Sequence, residues 1–114
     1  MFDFHKLEVY KKIREINISL EPVMKKIPEY ERRNQLTKAS LSVQLNLAEG
    51  TGRFTRAEKR RFYIISRASV YECVALFDFL SDLKIVSKEE YDYFTQKFEE
   101  ISKMLFAMIK KLES

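Results

Sequence analysis

A chain of 114 residues, 46% hydrophobic and 13% aromatic with a net charge of +4, is long enough for one apolar core and too short for two. That apolar content excludes a disordered chain, and the single cysteine, Cys73, excludes an internal disulfide. No window approaches the roughly 18 uninterrupted apolar residues of a membrane span, so no membrane partner is expected. Met1 to Lys6 has no basic stretch leading into an apolar run, so a signal peptide is not expected either, and the setting is read as cytoplasmic.

In chain order, Val9, Ile13, Ile16, Leu20, Val23 and Ile27 recur at steps of four and three, the stripe of a helix packed on one face. Asp3 suits its N-cap, Pro22 predicts a kink near Leu20 to Glu21, and Pro28 closes it. A second helix is expected from about Glu29 to Ala48, with Leu36, Ser40, Val43 and Leu47 inward and Gly50 and Gly52 as its stop. Thr55-Arg56-Ala57-Glu58 fits a capping box that opens a third helix running to about Leu83. That helix carries one stripe of Phe62, Ile65, Ser69, Cys73, Leu76, Leu80 and Leu83, and a second of Tyr63, Val70, Val74 and Phe77. Apolar residues on more than one face predict cover on more than one face, which in a short chain points to another copy of itself.

Ser87-Lys88-Glu89-Glu90 is a second capping box, and it opens a fourth helix with Tyr91, Phe94, Phe98, Ile101, Leu105, Met108 and Leu112 inward. Short links make successive helices antiparallel. The expectation is one all-α domain over residues 1–114, an antiparallel up-down-up-down four-helix bundle.

The inventory for catalysis is thin. His5 is the only histidine and lies near the chain start, where exposure to solvent is expected. With no Cys/His pair, no Gly-rich phosphate loop and no Glu-x-x-His pair for a di-metal bundle, no catalytic residue, metal or cofactor is expected. Glu72 stands beside the core stripe, where an ion pair with a neighbouring helix or subunit is the expected role.

Charge is more informative. From Arg53 to Arg67 the chain has six cations, Arg53, Arg56, Lys59, Arg60, Arg61 and Arg67, against Glu58 alone. That local charge of +5 leaves −1 for everything else. Arg56, Arg60 and Arg67, with Lys59 more loosely, fall on one side of a helix, as residues tracking phosphates would. A merely solvated face is the competing reading.

The stretch Gln35 to Gly50, with Asn46-Leu47-Ala48-Glu49-Gly50 at its end and Gly52-Arg53 after it, resembles the signature of the four-helix-bundle family of the 23S rRNA intervening sequence protein. Ile27-Pro28, Phe62, Ala68-Ser69, Glu72 and the capped fourth helix extend the resemblance along nearly the whole chain. Thr37 and Ser40 stand where Arg and Ala are frequent, and Leu45 where small residues are, so the second helix adds little basic surface.

The resemblance implies a barrel-like homopentamer. It also implies kinship with proteins encoded within rRNA gene insertions, and with accessory proteins of diversity-generating retroelements, which bind a reverse transcriptase and nucleic acid. Asn46, Glu49, Gly50 and Gly52 then read as a structural corner. Asn46 would satisfy free carbonyls, Gly50 would take a positive φ, and Glu49 would pair with Arg53.

Two functions follow. One is a non-enzymatic homo-oligomer binding RNA or DNA through the six cations. The other is a scaffold for a polymerase-type protein, with Tyr30, Tyr91 and Tyr93 as exposed contacts.

Overall fold

The computed structural model describes residues 1–113. After a 3-10 turn at Asp3–Lys6, the helices are α1 (Glu8–Ser19), α2 (Glu21–Lys25), α3 (Tyr30–Thr51), α4 (Arg56–Asp82) and α5 (Lys88–Lys111). Helices α1 and α2 together form the first arm of a four-helix bundle. They break at Leu20, which is wholly buried and caps α1. Pro22 stands in the first turn of α2, where its missing N–H costs nothing. Asp3 does not cap this arm: it lies in the 3-10 turn, and Leu7 is the residue before α1.

Direction follows from which residues meet. Tyr10 and Met24 of the first arm meet Gln44 and Thr37 of α3. Ser42 meets Ser69, and Ser66 donates to the Val43 carbonyl. Tyr91 meets Asp78, and Arg67 reaches the Ser102 carbonyl. In each pair of helices one number rises as the other falls, so all three steps are antiparallel. Lys12 pairs with Glu100 and Lys26 with Glu90, closing α5 back onto the first arm.

The buried apolar residues other than Phe62 form one cluster drawn from every helix, from Val9 and Ile13 through Leu36, Leu47, Val70 and Phe77 to Phe98, Leu105 and Ile109. Within the expected third-helix stripe, Phe62, Ser69, Cys73 and Leu80 are buried, whereas Leu83 is 43% exposed. Ser40, Ser66 and Ser69 are buried polar residues on α3 and α4. Their hydroxyls bond to main-chain carbonyls, Ser66 to Val43 at 2.6 Å, Ser40 to Thr37 at 3.1 Å and Ser69 to Ile65 at 3.1 Å, which removes the cost of burying them. Small side chains also let the two backbones approach.

Closest approach falls at Gly50. Helix α3 continues past Ala48 and through Gly50 to Thr51, so Gly50 is not the stop and takes no positive φ. A Cβ on Gly50 would lie 2.7 Å from Tyr63 Cε1 and 2.9 Å from Phe62 Cβ. The residue is glycine because α4 crosses there. Gly52 is the C-cap, at φ −87°.

Both capping residues are in place. Thr55 accepts from the Glu58 N–H at 3.1 Å. Ser87 and Glu90 form the complete reciprocal box. Bonding to the Lys26 ammonium, together with the Ser87 contacts, holds the Glu90 carboxyl below the ordinary carboxylate range. The link between α4 and α5 is a Schellman turn: the Lys84 and Ile85 amides donate to Ser81 and Leu80 carbonyls, each at 2.9 Å. Lys84 takes φ 60° to make it. No helix is long and apolar enough to cross a membrane, among the described residues.

Candidate nucleic-acid interface

The basic segment sits where three helix ends converge: the C-terminus of α3, the N-terminus of α4 and the C-terminus of α5. Helix C-termini expose carbonyls without intrahelical partners and carry partial negative charge. Two of the expected phosphate ligands serve those ends. Arg56 Nη2 donates to the Lys111 carbonyl at 2.7 Å, and Lys59 Nζ donates to the Thr51 carbonyl at 2.8 Å. Arg60 pairs with Glu113 at 3.3 Å. Hydrogen bonding to Lys110, with a lesser contribution from Arg60, holds the Glu113 carboxyl below its ordinary value.

These contacts give the expected stripe partners within the bundle. Arg56, Arg60 and Arg67 do share one side of α4, and that side faces α5. Arg67 stands apart from the end cluster, about 10 Å along the helix from Arg60. Its Nε donates to the Ser102 carbonyl at 3.2 Å, and its guanidinium lies 5.0 Å from the Tyr71 ring centre and 5.2 Å from that of Phe106. It is a clasp between α4 and α5.

Arg53 and Arg61 are arranged differently. Both guanidinium groups rest over the Phe62 ring, at 4.5 and 4.7 Å from its centre. Cations are attracted to the ring face, so one nearly buried aromatic holds two positive groups at the surface. Arg53 is also paired with Glu49 at 2.8 Å, as the corner reading expected. Arg61 has no hydrogen bond or ion pair among the described residues.

Asn46 lies inside α3 and bonds the Ser42 carbonyl at 2.9 Å and its hydroxyl at 3.0 Å. It thus supports the Ser42–Ser69 contact between helices instead of capping a helix end. Glu72 is exposed and joins no ion pair among the described residues. His5 is half-buried, accepts the Phe2 N–H at 3.1 Å, and packs among Phe2, Phe4 and Tyr10. Cys73 is fully buried, and burial pushes its thiol up to about 12, with a further contribution from Glu72. Among the described residues no group of three or more His, Cys, Asp or Glu side chains converges as a metal site would require.

The model of the 23S rRNA-intervening sequence protein family matches residues 5–107. The chain belongs to that family. A crystal structure of a Bacteroides thetaiotaomicron protein of unknown function from the S23 ribosomal protein family superposes with a TM-score of 0.85. At 21% identity, over 90% of this chain and 98% of the other, it shares the fold. No curated protein matches.

Sequence reasoning missed one feature of the family's bundle here. Phe54, in the turn between α3 and α4, is 99% exposed. The signal was an aromatic directly after Gly52-Arg53, in a turn too short to fold it inward.

Proposed function

We propose that this member of the 23S rRNA-intervening sequence protein family is a non-catalytic, self-assembling cytoplasmic protein that binds RNA or DNA at its basic end. The observation that carries the reading is the placement of Arg53 and Arg61 on Phe62, beside the outermost turn of the bundle. Arg56, Lys59 and Arg60 neutralise helix ends and a carboxylate nearby and Arg53 is shared with Glu49, which leaves Arg61, without an ion pair among the described residues, as the guanidinium free to act on whatever approaches from solvent.

Assembly multiplies that charge. Leu41 and Leu45 are 43% and 59% exposed, and each is two residues, about 200° of helix, from the buried Val43. They give α3 an apolar outer face, and α4 separately exposes Ile64, Tyr71 and Phe79. Copies packed through these faces, five in the ring that the family resemblance implies, would present several basic ends together and raise avidity without new contacts.

Titration of a labelled structured RNA tests the reading. Binding is expected at about 50 mM salt and should weaken steeply by about 200 mM. Arg53→Glu with Arg61→Glu should abolish it while leaving the thermal melt intact. No binding at low salt, or binding indifferent to both reversals, would contradict it.

A second reading is a scaffold for a polymerase-type protein. Tyr30 and Tyr93, 68% and 49% exposed, favour it. Tyr91 does not, because its hydroxyl is tied to Asp78.

A further inference from the structure

The basic end carries a fully exposed aromatic side chain. Phe54 follows Arg53 directly and is 99% exposed, so no packing within the bundle accounts for an aromatic ring in this turn. Phe2, 70% exposed, precedes the N-terminal turn and lines the same cleft as Phe54. Phe4, Ala48, Thr51 and Arg53 contribute to its walls. The cleft holds about 490 Å³, within the range of small-ligand clefts.

The charge around it is mixed. Asp3, Glu49 and Glu58 also line the cleft. Arg53 neutralises Glu49, and Glu58 accepts from the Thr55 hydroxyl. Carboxylates within the cleft disfavour phosphates laid along its floor, whereas the uncharged face of a base meets no such penalty. Positive charge stands to one side, where Phe62 holds Arg53 and Arg61.

From this juxtaposition we infer that Phe54 is a stacking platform for an unpaired base of a single-stranded nucleic acid, with Arg61, seated on Phe62, taking an adjacent phosphate. The inference rests on the nucleic-acid reading and narrows it. A base inside a duplex has both faces occupied by its neighbours, so a protruding ring can stack only on a strand end, a loop or a single strand. Base–aromatic stacking is tolerant of sequence, because every base has a π-face. The ligand class is therefore single-stranded RNA or DNA with little base preference.

The chain has no tryptophan, so Phe54→Trp creates a lone fluorophore at the site in question. Full-length Phe54→Trp and Phe54→Ala proteins are titrated at low salt with a 12-nucleotide single strand and with a covalently closed circular duplex, which has no strand ends. Stacking predicts strong quenching of the tryptophan by the single strand and little by the duplex. It also predicts wild-type affinity for Phe54→Trp and at least about a tenfold loss for Phe54→Ala. Because Phe54 is exposed, neither change should move the melting temperature. Unquenched emission on a bound single strand, with Phe54→Ala binding as tightly as wild type, would overturn the stacking and leave the nucleic-acid reading standing. Equal quenching and affinity for the duplex would also overturn it. Failure of the wild-type protein to bind either ligand would overturn both.

Discussion

Gly50 faces the ring of Tyr63 so closely that a Cβ would stand 2.7 Å from its Cε1 atom. This contact fixes how near α3 and α4 run at the end that carries the basic turn, and it decides which of two neighbouring glycines matters. Gly50→Ala must push an aromatic ring and the Phe62 Cβ aside in a packed interface, and is expected to cost about 1–3 kcal/mol. At Gly52 the nearest atom to an added Cβ is the Glu49 carbonyl at 3.5 Å, so Gly52→Ala should leave stability nearly unchanged. Urea unfolding followed by circular dichroism separates the two.

The Schellman turn after α4 makes the opposite prediction for a lysine. Lys84 holds φ 60°, a conformation that a Cβ disfavours and that glycine adopts freely. Lys84→Gly should therefore stabilise the fold by about 1 kcal/mol, read as a higher urea midpoint at unchanged slope. A lower midpoint would show that the lysine side chain makes a contact worth more than the strain.

Cys73 ties stability to alkaline pH. Burial pushes its thiol from 9.0 up to about 12 in the folded chain, so the folded state holds the proton more tightly than the unfolded state does. The contribution is fully present below about pH 9 and is lost as pH rises from 9 towards 12. Burial also raises the Tyr63 phenol, which acts in the same direction. The urea midpoint should fall across that window, and Cys73→Ala, although less stable at neutral pH, should show a shallower fall. At pH 8 a thiol reagent should label the native protein only at the rate of its unfolding.

Much of the bundle was legible in the sequence because its determinants are local. The three-and-four spacing of Phe94, Phe98, Ile101 and Leu105 yields a buried stripe directly. Pro22 marks the break at Leu20, and Ser87 with Glu90 marks the start of α5. Gly50 was misread because a glycine near a helix end resembles a terminator, while its actual role depends on a ring thirteen positions onward in another helix. The partners of the basic segment were hidden for the same reason. The spacing of Arg56, Arg60 and Arg67 gives their common side correctly, but only the antiparallel register of α5 shows that this side meets Lys111, Glu113 and Ser102. Arg53 and Arg61 were visible as charges, and their shared seat on Phe62 was not.

Self-assembly is the claim on which the multiplied charge depends, and the molar mass of the protein in solution tests it most directly. Light scattering on the chromatographic peak, at micromolar concentration, should give about 68 kDa, five times the 13.6 kDa chain. Leu41→Glu with Leu45→Glu should shift that peak to the monomer, because it places carboxylates on the outer face of α3. A wild-type mass of 13.6 kDa at every concentration would contradict the proposal.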